Sequence, residues 1–394
     1  MPRTLVLCLL LFVQAIASAQ DASPTEVTFS SELIFPLHAQ HNHAPGIAEL
    51  QNGDLVVSWY RGTGERTADD VAVWGARLAK GSTQWSDAFL MHDTPGFPDC
   101  NTALMTNAEG HLVLFWPVIL ANTWESCLTR RKVSRHPEAP GAIQWDSEQT
   151  LLLKPADFSA EAVAALDEQV AALPPLPEEN KKSIQEARER LSQKLYQRLG
   201  WQPRCKPTVL PSGRILLPLY TDTFSLSLMA ISDDGGQSWF AGKPMLGFGA
   251  IQPTVLRRSN GTLVAWMREN GFSGRIRVAE STDDGMSWGP VTSSALPNPG
   301  SGLDGVRLQN GHWLLVYNDT TSGRNRLAVS VSMDEGVTWQ ATRHLEDQPS
   351  GSFHYPCVIQ GADARIHVVY SYFAEGGKSM KHAAFTEAWV TEQR

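Results

Sequence analysis

After its N-terminal segment, the sequence has no apolar run long enough to cross a bilayer. Within that segment, a basic start precedes an apolar run over residues 5–16, and the small residues Ala17, Ser18 and Ala19 follow. This pattern is typical of a secretory signal peptide cleaved after Ala19. We therefore expect residues 1–19 to be removed, and residues 20–394 to be secreted or periplasmic without membrane insertion.

The sequence also lacks an excess of basic residues. It has 33 Lys and Arg against 41 Asp and Glu, a formal net charge of −8, and no basic run. Nucleic acids and anionic membrane surfaces attract proteins with basic patches, so neither is an expected partner.

Cysteine is scarce, with five residues in the 394. Cys8 falls in the predicted signal peptide, and the spacing of the other four does not fit a metal site: Cys100, Cys127, Cys205 and Cys357. Their recurrence near the starts of predicted strands favours packing in the core, although an exported chain could also form disulfides. We predict no metal and no cofactor.

What the sequence does contain is a repeated turn. The phrase Ser-x-Asp-x-Gly-x-(Ser/Thr)-Trp occurs at residues 232–239, 281–288 and 332–339. Its Asp can accept backbone N–H groups within the turn, its Gly allows a positive φ, and its Trp can fill the space between layers. A repeat of about 50 residues indicates stacked units that bury their apolar faces against one another.

Six segments share a second pattern, in which two short apolar runs flank a turn that contains Gly, Asn or Asp. They span residues 43–60, 100–116, 205–220, 251–268, 303–317 and 354–370. Each is typical of a β-hairpin, and the chain between them has room for two more strands per unit. Six units of four strands predict an all-β fold, a six-bladed β-propeller. We expect residues 26–35 and 378–390 to close it by pairing in a shared blade.

One segment, at about residues 156–200, breaks the repeat. Ser159 can begin a helix that runs to about Ala172, prolines interrupt it, and a second helix is predicted from about Glu178 to Leu199. We predict a helical hairpin inserted between the second and third blades. It could be a surface addition or a wall over one end of the channel.

In a propeller the innermost strands begin at one mouth of the central channel, so their first residues converge. A purely structural repeat would place the same residue at each position. Here the positions are unlike and mostly polar: His43 or the adjacent Ala44, Asn101, Lys206, Gln252, Asp304 and Tyr355. Such diversity on a uniform scaffold predicts a ligand site.

Cationic side chains are predicted around the same mouth. Arg61 and Arg268 stand at the ends of second strands, and Arg326 leads into a third strand. Together with Lys206 and His43, they would bind a carboxylate or a sulfate through charge-assisted hydrogen bonds. The glycine-rich, charged loop at residues 61–70 can carry a carboxylic acid over such a ligand.

The repeated Ser-x-Asp-x-Gly-x-(Ser/Thr)-Trp turn matches the Asp box. With three Asp boxes and six hairpins, the chain resembles the sialidase (neuraminidase) superfamily, in its divergent branch with Asp-box (BNR) repeats. The resemblance covers nearly all of the chain after the predicted signal peptide, apart from the helical insertion. It implies a tyrosine nucleophile, arginines that hold a substrate carboxylate and a loop aspartate as acid and base. Tyr355 corresponds to the nucleophile, and Asp69 or Asp70 to the loop aspartate. Arg268 and Arg326 correspond to the second and third arginines.

Two positions depart from the family pattern. The triplet His43-Ala44-Pro45 stands where the resemblance expects Arg-Ile-Pro, and Gln252 stands where it expects the Glu that assists the tyrosine. An amide cannot take the tyrosine proton, so we hypothesise that Asp304 supplies the missing carboxylate.

The resemblance implies a secreted exo-glycosidase that releases a terminal sialic acid or another acidic sugar from glycans. Three alternatives stay open. One is a lyase for uronic-acid glycans, in which His43 or Tyr355 abstracts the proton beside a carboxylate. The others are a glycosidase for a neutral or differently charged sugar and a non-catalytic carbohydrate-binding propeller.

Overall fold

The computed structural model describes residues 26–172 and 174–392, so the predicted signal peptide lies outside the described residues. The described chain forms six antiparallel sheets of four or five strands, with few helices. The first strands of neighbouring sheets contact one another around a common axis. The prediction of an all-β, six-bladed β-propeller is confirmed.

The first described strand and the last three strands of the chain form one sheet, which we call blade 1. Blade 1 comprises β1 (Phe29–Leu33), β23 (Ser352–Gln360), β24 (Ile366–Ala374) and β25 (Gly377–Phe385). Blade 2 comprises β2 (His41–Glu49), β3 (Leu55–Gly62), β4 (Ala72–Leu78) and β5 (Phe89–His92). Blade 3 comprises β6 (Ala103–Thr106), β7 (Leu112–Ile119), β8 (Cys127–Ser134) and β9 (Ser147–Thr150).

The second half of the chain supplies the other three blades. Blade 4 comprises β10 (Gln202–Pro203), β11 (Thr208–Val209), β12 (Ile215–Thr221), β13 (Leu226–Ser232) and β14 (Phe240–Ala241). Blade 5 comprises β15 (Ala250–Arg257), β16 (Leu263–Glu269), β17 (Arg275–Ser281) and β18 (Thr292–Pro297). Blade 6 comprises β19 (Asp304–Arg307), β20 (Trp313–Asn318), β21 (Arg326–Ser332) and β22 (Ala341–Asp347).

Closure of the ring occurs in blade 1, where β1 pairs antiparallel with β25. The register runs from Phe29 opposite Phe385 to Leu33 opposite Lys381. The predicted pairing of the two terminal segments is confirmed.

The helices lie between β9 and β10: α1 (Phe158–Ala171), α2 (Glu178–Ser192) and α3 (Lys194–Arg198). Because β1 belongs to the closing blade, α1 and α2 follow the third blade that the chain enters. The predicted position, between the second and third blades, is therefore not confirmed, because the prediction counted blades from the first hairpin and left out the closing blade. Phe158 and Ala162 of α1 and Leu191 of α2 are buried in one apolar cluster with Trp201. The hairpin is thus packed onto the propeller.

Two short helical turns complete the secondary structure: a 3₁₀ turn at Trp124–Ser126 and the C-terminal α4 (Glu387–Thr391). Among the described residues, no helix is both long and apolar enough to cross a membrane.

The three Asp boxes adopt the turn that their sequence predicts. In each box the Asp carboxylate accepts the backbone N–H four residues later, at 2.9, 2.9 and 2.8 Å for Asp234, Asp283 and Asp334. The Gly of each box has a positive φ: Gly236, Gly285 and Gly336.

Packing between blades explains the continuous apolar runs of the inner strands. Every residue of β12 and β13 is buried, because neighbouring blades cover both faces of their sheet. The four described cysteines are buried free thiols within this packing: Cys100, Cys127, Cys205 and Cys357.

Candidate functional site

A shared backbone feature directs unlike side chains to the mouth of the channel. Ala44, Gln252 and Tyr355 have φ values of 52°, 57° and 55°, in the left-handed region that non-glycine residues rarely adopt. Each lies in a β-bulge of the innermost strand, where the pairing register shifts. A bulge re-aims a side chain, and strain of this kind accumulates at functional sites.

Tyr355 is the centre of the site. Its hydroxyl oxygen accepts a hydrogen bond of 2.8 Å from Nη1 of Arg268 and one of 3.2 Å from Nε2 of Gln252. The residue is 9% exposed. Three residues that the sequence predicted to converge are therefore in direct contact.

Two further arginines face the Tyr355 ring. The guanidinium carbon of Arg204 lies 4.9 Å from the ring centroid, and that of Arg324 lies 5.8 Å from it. Arg324 donates to the carbonyl of Gly300 at 2.8 Å. Three guanidinium groups thus surround one phenol.

These cations lack carboxylate partners. Within residues 26–172 and 174–392, no ion pair involves Arg204, Arg268 or Arg324. Burial lowers the pKa of Arg324. Burial opposes the charge of Arg268 as well, but Tyr355, Tyr220 and Asp222 together outweigh it, so the pKa of Arg268 is raised. Asp222 and Glu65 interact with Arg268 and Arg324 only without direct contact. The cluster therefore presents guanidinium groups that are available to an anionic ligand.

Histidines cover the other side of the phenol. The ring of His43 stacks on that of Tyr355 at 4.3 Å, and Nδ1 of His43 forms a hydrogen bond of 2.7 Å with Ser371. His354 meets His43 edge-on at 4.7 Å. Burial holds the pKa of both histidines well below the ordinary value, so both are neutral.

The side-chain amides of Asn101 and Gln202 connect the Tyr220 phenol to the carboxylate of Asp222. Nδ2 of Asn101 donates to the Tyr220 hydroxyl at 3.1 Å and to Gln202 at 3.0 Å. Gln202 in turn donates to Asp222 at 2.9 Å. Burial raises the pKa of Asp222, although Arg268 and Arg66 act against it. Asp222 is therefore a partly buried carboxyl group with an increased tendency to hold a proton.

Asp304 does not contact Tyr355, contrary to our hypothesis. It is 0% exposed and accepts from Lys206 at 2.7 Å, from the Thr254 hydroxyl at 2.7 Å and from the Val358 N–H at 2.9 Å. Neither Asp304 nor Lys206 has the positive φ found at Tyr355, and their side chains pair with each other. The two residues form a buried ion pair.

The loop aspartates are exposed and bound to their own surroundings. Asp69 accepts from Asn122 at 2.8 Å, and Asp70 accepts the Thr63 N–H at 3.0 Å. The carboxylate of this loop that points inward is Glu65, which accepts from the Tyr60 hydroxyl at 2.8 Å.

Two predicted arginines lie apart from Tyr355. Arg61 donates to Asn42 at 2.7 Å and its guanidinium lies 5.0 Å from the Trp74 ring, within the packing of blade 2. Arg326 is 51% exposed and pairs with Asp347 at 3.1 Å. The arginine two positions earlier, Arg324, faces the phenol in its place.

Sequence reasoning missed Arg204 and Arg324. Arg324 belongs to the same Gly-Arg-Asn-Arg segment as Arg326, so the segment was recognised but its inward residue was not. Arg204 precedes the Cys-Lys-Pro start of the third hairpin by one residue, outside the aligned positions. Among the described residues, no group of three or more His, Cys, Asp or Glu side chains is placed to bind a metal ion.

The fold and this site define a class: six-bladed propellers with Asp-box turns and a tyrosine–arginine cluster at the mouth. Residues 186–368 match the family described as BNR repeat-like domain. The similarity to the sialidase-like superfamily with BNR repeats, which the sequence predicts, is confirmed by this match and by the relatives below.

Two curated relatives are sialidases. The sialidase of Micromonospora viridifaciens is 30% identical over 169 residues, which cover 40% of this chain and 25% of that protein. The sialidase of Bacteroides fragilis (strain YCH46) is 28% identical over 151 residues, which cover 35% of this chain and 27% of that protein. The matched region thus spans about a quarter of the length of these relatives.

A solved structure agrees with the fold over most of the chain. The NanB sialidase of Streptococcus pneumoniae superposes with a TM-score of 0.68 at 12% sequence identity, covering 91% of this chain and 71% of that one. At this identity the likeness concerns the fold.

Proposed function

We propose that this protein is an exo-acting glycoside hydrolase of sialidase type, which releases a terminal sialic acid or another acidic sugar from a glycan. The observation that carries the proposal is the set of three guanidinium groups around the Tyr355 phenol, none of which forms an ion pair within the described part of the chain. The curated sialidase relatives support a glycosidase. They do not favour a lyase or a non-catalytic binding protein. We further propose that it acts outside the cytoplasm, as the predicted signal peptide suggests.

In the proposed reaction, Arg268 and Arg324 bind the carboxylate of the sugar and Tyr355 attacks as its phenolate, having released its proton to solvent. The phenolate oxygen forms a bond to the anomeric carbon while the bond from that carbon to the leaving oxygen breaks. A carboxyl group protonates the leaving oxygen. Water then attacks the anomeric carbon, gives a proton to the same carboxylate and releases the phenolate.

Asp69, Asp70 and Asp222 are the proposed candidates for that acid. Asp69 and Asp70 are candidates because they correspond to the loop aspartate of the sialidase pattern. Asp222 is a candidate because it lies near Arg268 and its pKa is raised. A general acid must be protonated when the leaving group departs, so a raised pKa suits the role.

The test uses aryl glycosides of sialic acid and acidic oligosaccharides, with product analysis. We expect a reducing acidic sugar, released with retention of anomeric configuration as seen by NMR, since two displacements occur at one carbon. Tyr355→Phe should lower kcat by about 10³-fold or more. Tyr196→Phe, in α3, is the matched control and should leave kcat unchanged. An unsaturated product would indicate a lyase, and full activity of Tyr355→Phe would exclude the phenol from the reaction.

A further inference from the structure

Arg204 is a buried cation in contact with the proposed nucleophile. It is 1% exposed, and its guanidinium carbon lies 4.9 Å from the Tyr355 ring centroid. Its Nη2 donates a hydrogen bond of 2.5 Å to the carbonyl of Pro356, the residue after Tyr355. Arg204 therefore contacts both the ring and the backbone that positions the ring.

The charge of Arg204 is uncompensated among the described residues. A buried ion costs several kcal/mol unless an opposite charge and hydrogen bonds offset its desolvation. Nε and Nη1 of Arg204 are buried and have no hydrogen-bond partner in the described chain. The neighbouring carboxylate Asp304 is already bound to Lys206, Thr254 and Val358. A negative charge near Arg204 would remove this cost.

Tyr355 is the group that can supply this charge. Of the titratable groups around its ring, His43 and His354 are neutral because burial lowers their pKa. Burial likewise raises the pKa of Tyr60 and Tyr220 well above the ordinary value, so both phenols keep their protons. The cations Arg268 and Arg324 also favour an anion at Tyr355. The carboxyl groups Asp222 and Glu65, which interact with Arg268 and Arg324 respectively, act against it.

We propose that Arg204 is the permanent counter-charge of the Tyr355 phenolate, and that it stabilises this anion after the proton has passed to solvent, since Gln252 cannot act as a base. The inference rests on the proposed function, in which Tyr355 attacks as an anion. An incoming substrate carboxylate will neutralise Arg268 and Arg324. Arg204 is 1% exposed, so that carboxylate does not reach it, and it continues to stabilise the phenolate when the substrate is bound. Arg204 is a positioning residue, since it acts through Tyr355.

The first test needs no substrate. The near-ultraviolet tyrosinate absorbance of the protein is titrated with pH, and the titration of Tyr355→Phe is subtracted to isolate Tyr355. The midpoint of this titration in the wild-type protein is the reference for the variants. In Arg204→Gln, which keeps a donor for the Pro356 carbonyl but no charge, the midpoint should rise by about one pH unit or more. Arg204→Lys should restore most of the shift, and Arg258→Met, which removes a cation paired with Glu280, should change nothing.

The second test measures catalysis. Loss of the phenolate counter-charge should lower kcat in Arg204→Gln with little change in KM, and should move the acid limb of the pH profile to higher pH. An unchanged midpoint in folded Arg204→Gln would overturn the inference. Because the titration is independent of turnover, failure of the proposed hydrolysis would be seen separately.

Discussion

Nη1 of Arg268 donates a hydrogen bond of 2.8 Å to the hydroxyl oxygen of Tyr355, although 87 positions separate the two residues in the chain. Arg268 lies on β16 of blade 5, and Tyr355 lies on β23, the innermost strand of blade 1. A guanidinium on a phenol oxygen stabilises the phenolate by a charge-assisted bond, and the same group can hold a substrate carboxylate. Arg268 can thus take part both in substrate binding and in activation of the nucleophile.

The pair Arg324 and Arg326 provides a matched comparison. Arg324→Met should raise KM for an acidic sugar by about 10-fold or more, because a hydrogen bond to a charged group contributes about 1.5–3 kcal/mol. Arg326→Met should have no measurable effect, since an exposed ion pair contributes little. Steady-state kinetics on one aryl glycoside will check both. The reverse ranking would show that the exposed arginine is the ligand.

The three candidate acids can be separated by the leaving group. Removing the acid should reduce kcat strongly for a poor leaving group such as a sugar and weakly for a good one such as a nitrophenol, because only the poor one needs protonation. We expect this pattern for Asp222→Asn. With a raised pKa, Asp222 keeps its proton to higher pH than an ordinary carboxyl, and activity should fall as pH rises through that pKa.

Asp69→Asn and Asp70→Asn are measured alongside. If either loop variant shows the leaving-group dependence and Asp222→Asn does not, the acid is on the loop. Asp87→Asn, an exposed site between β4 and β5, serves as the control for the loss of a carboxylate.

Asp304 should matter for stability rather than for turnover. Asp304→Asn leaves Lys206 without its buried partner, and breaking such a pair costs roughly 3 kcal/mol or more of the free energy of unfolding. Denaturant unfolding of Asp304→Asn, Lys206→Met and the double variant will measure the coupling between the two residues. A variant of normal stability with lost turnover would restore the catalytic role that we first assigned to Asp304.

The buried pair His367 and His382 predicts a pH-dependent stability. Nδ1 of His367 lies 3.1 Å from Nε2 of His382, and burial lowers the pKa of His367 to about 4. The unfolded chain therefore binds this proton more readily than the folded one, and stability is lost as pH falls from about 6.5 to 4. The loss should reach about 3 kcal/mol.

In His367→Gln this part of the pH dependence should disappear. The measurement is the free energy of unfolding by denaturant at a series of pH values. His136→Gln, at an exposed position, should keep the wild-type dependence. An unchanged slope in His367→Gln would show that His367 is protonated in the folded protein.

The propeller and part of the site can be predicted from local patterns in the sequence. Each Asp box contains all the groups of its own turn, and each hairpin contains both of its strands, so their number predicts the blades. The symmetry of the fold then brings Tyr355 and Gln252 together, because they occupy equivalent positions in two hairpins, and Arg268 lies opposite Ile251 in the hairpin of Gln252. Convergence is a property of the repeat and needs no knowledge of side-chain packing.

Only the tertiary structure decided which charged groups face the phenol. Arg324 and Arg326 are two residues apart, and the path of one loop turns the first toward Tyr355 and leaves the second in solvent. Asp304 lacks the positive φ that directs Tyr355 to the mouth, and its carboxylate binds Lys206 instead. Arg204 lies one residue before the third hairpin, outside the repeat pattern. The sequence by itself thus determined the scaffold and the point of convergence, since those depend on local periodicity. The electrostatics of the site depend on individual backbone angles and on pairings between distant blades, which no local pattern encodes.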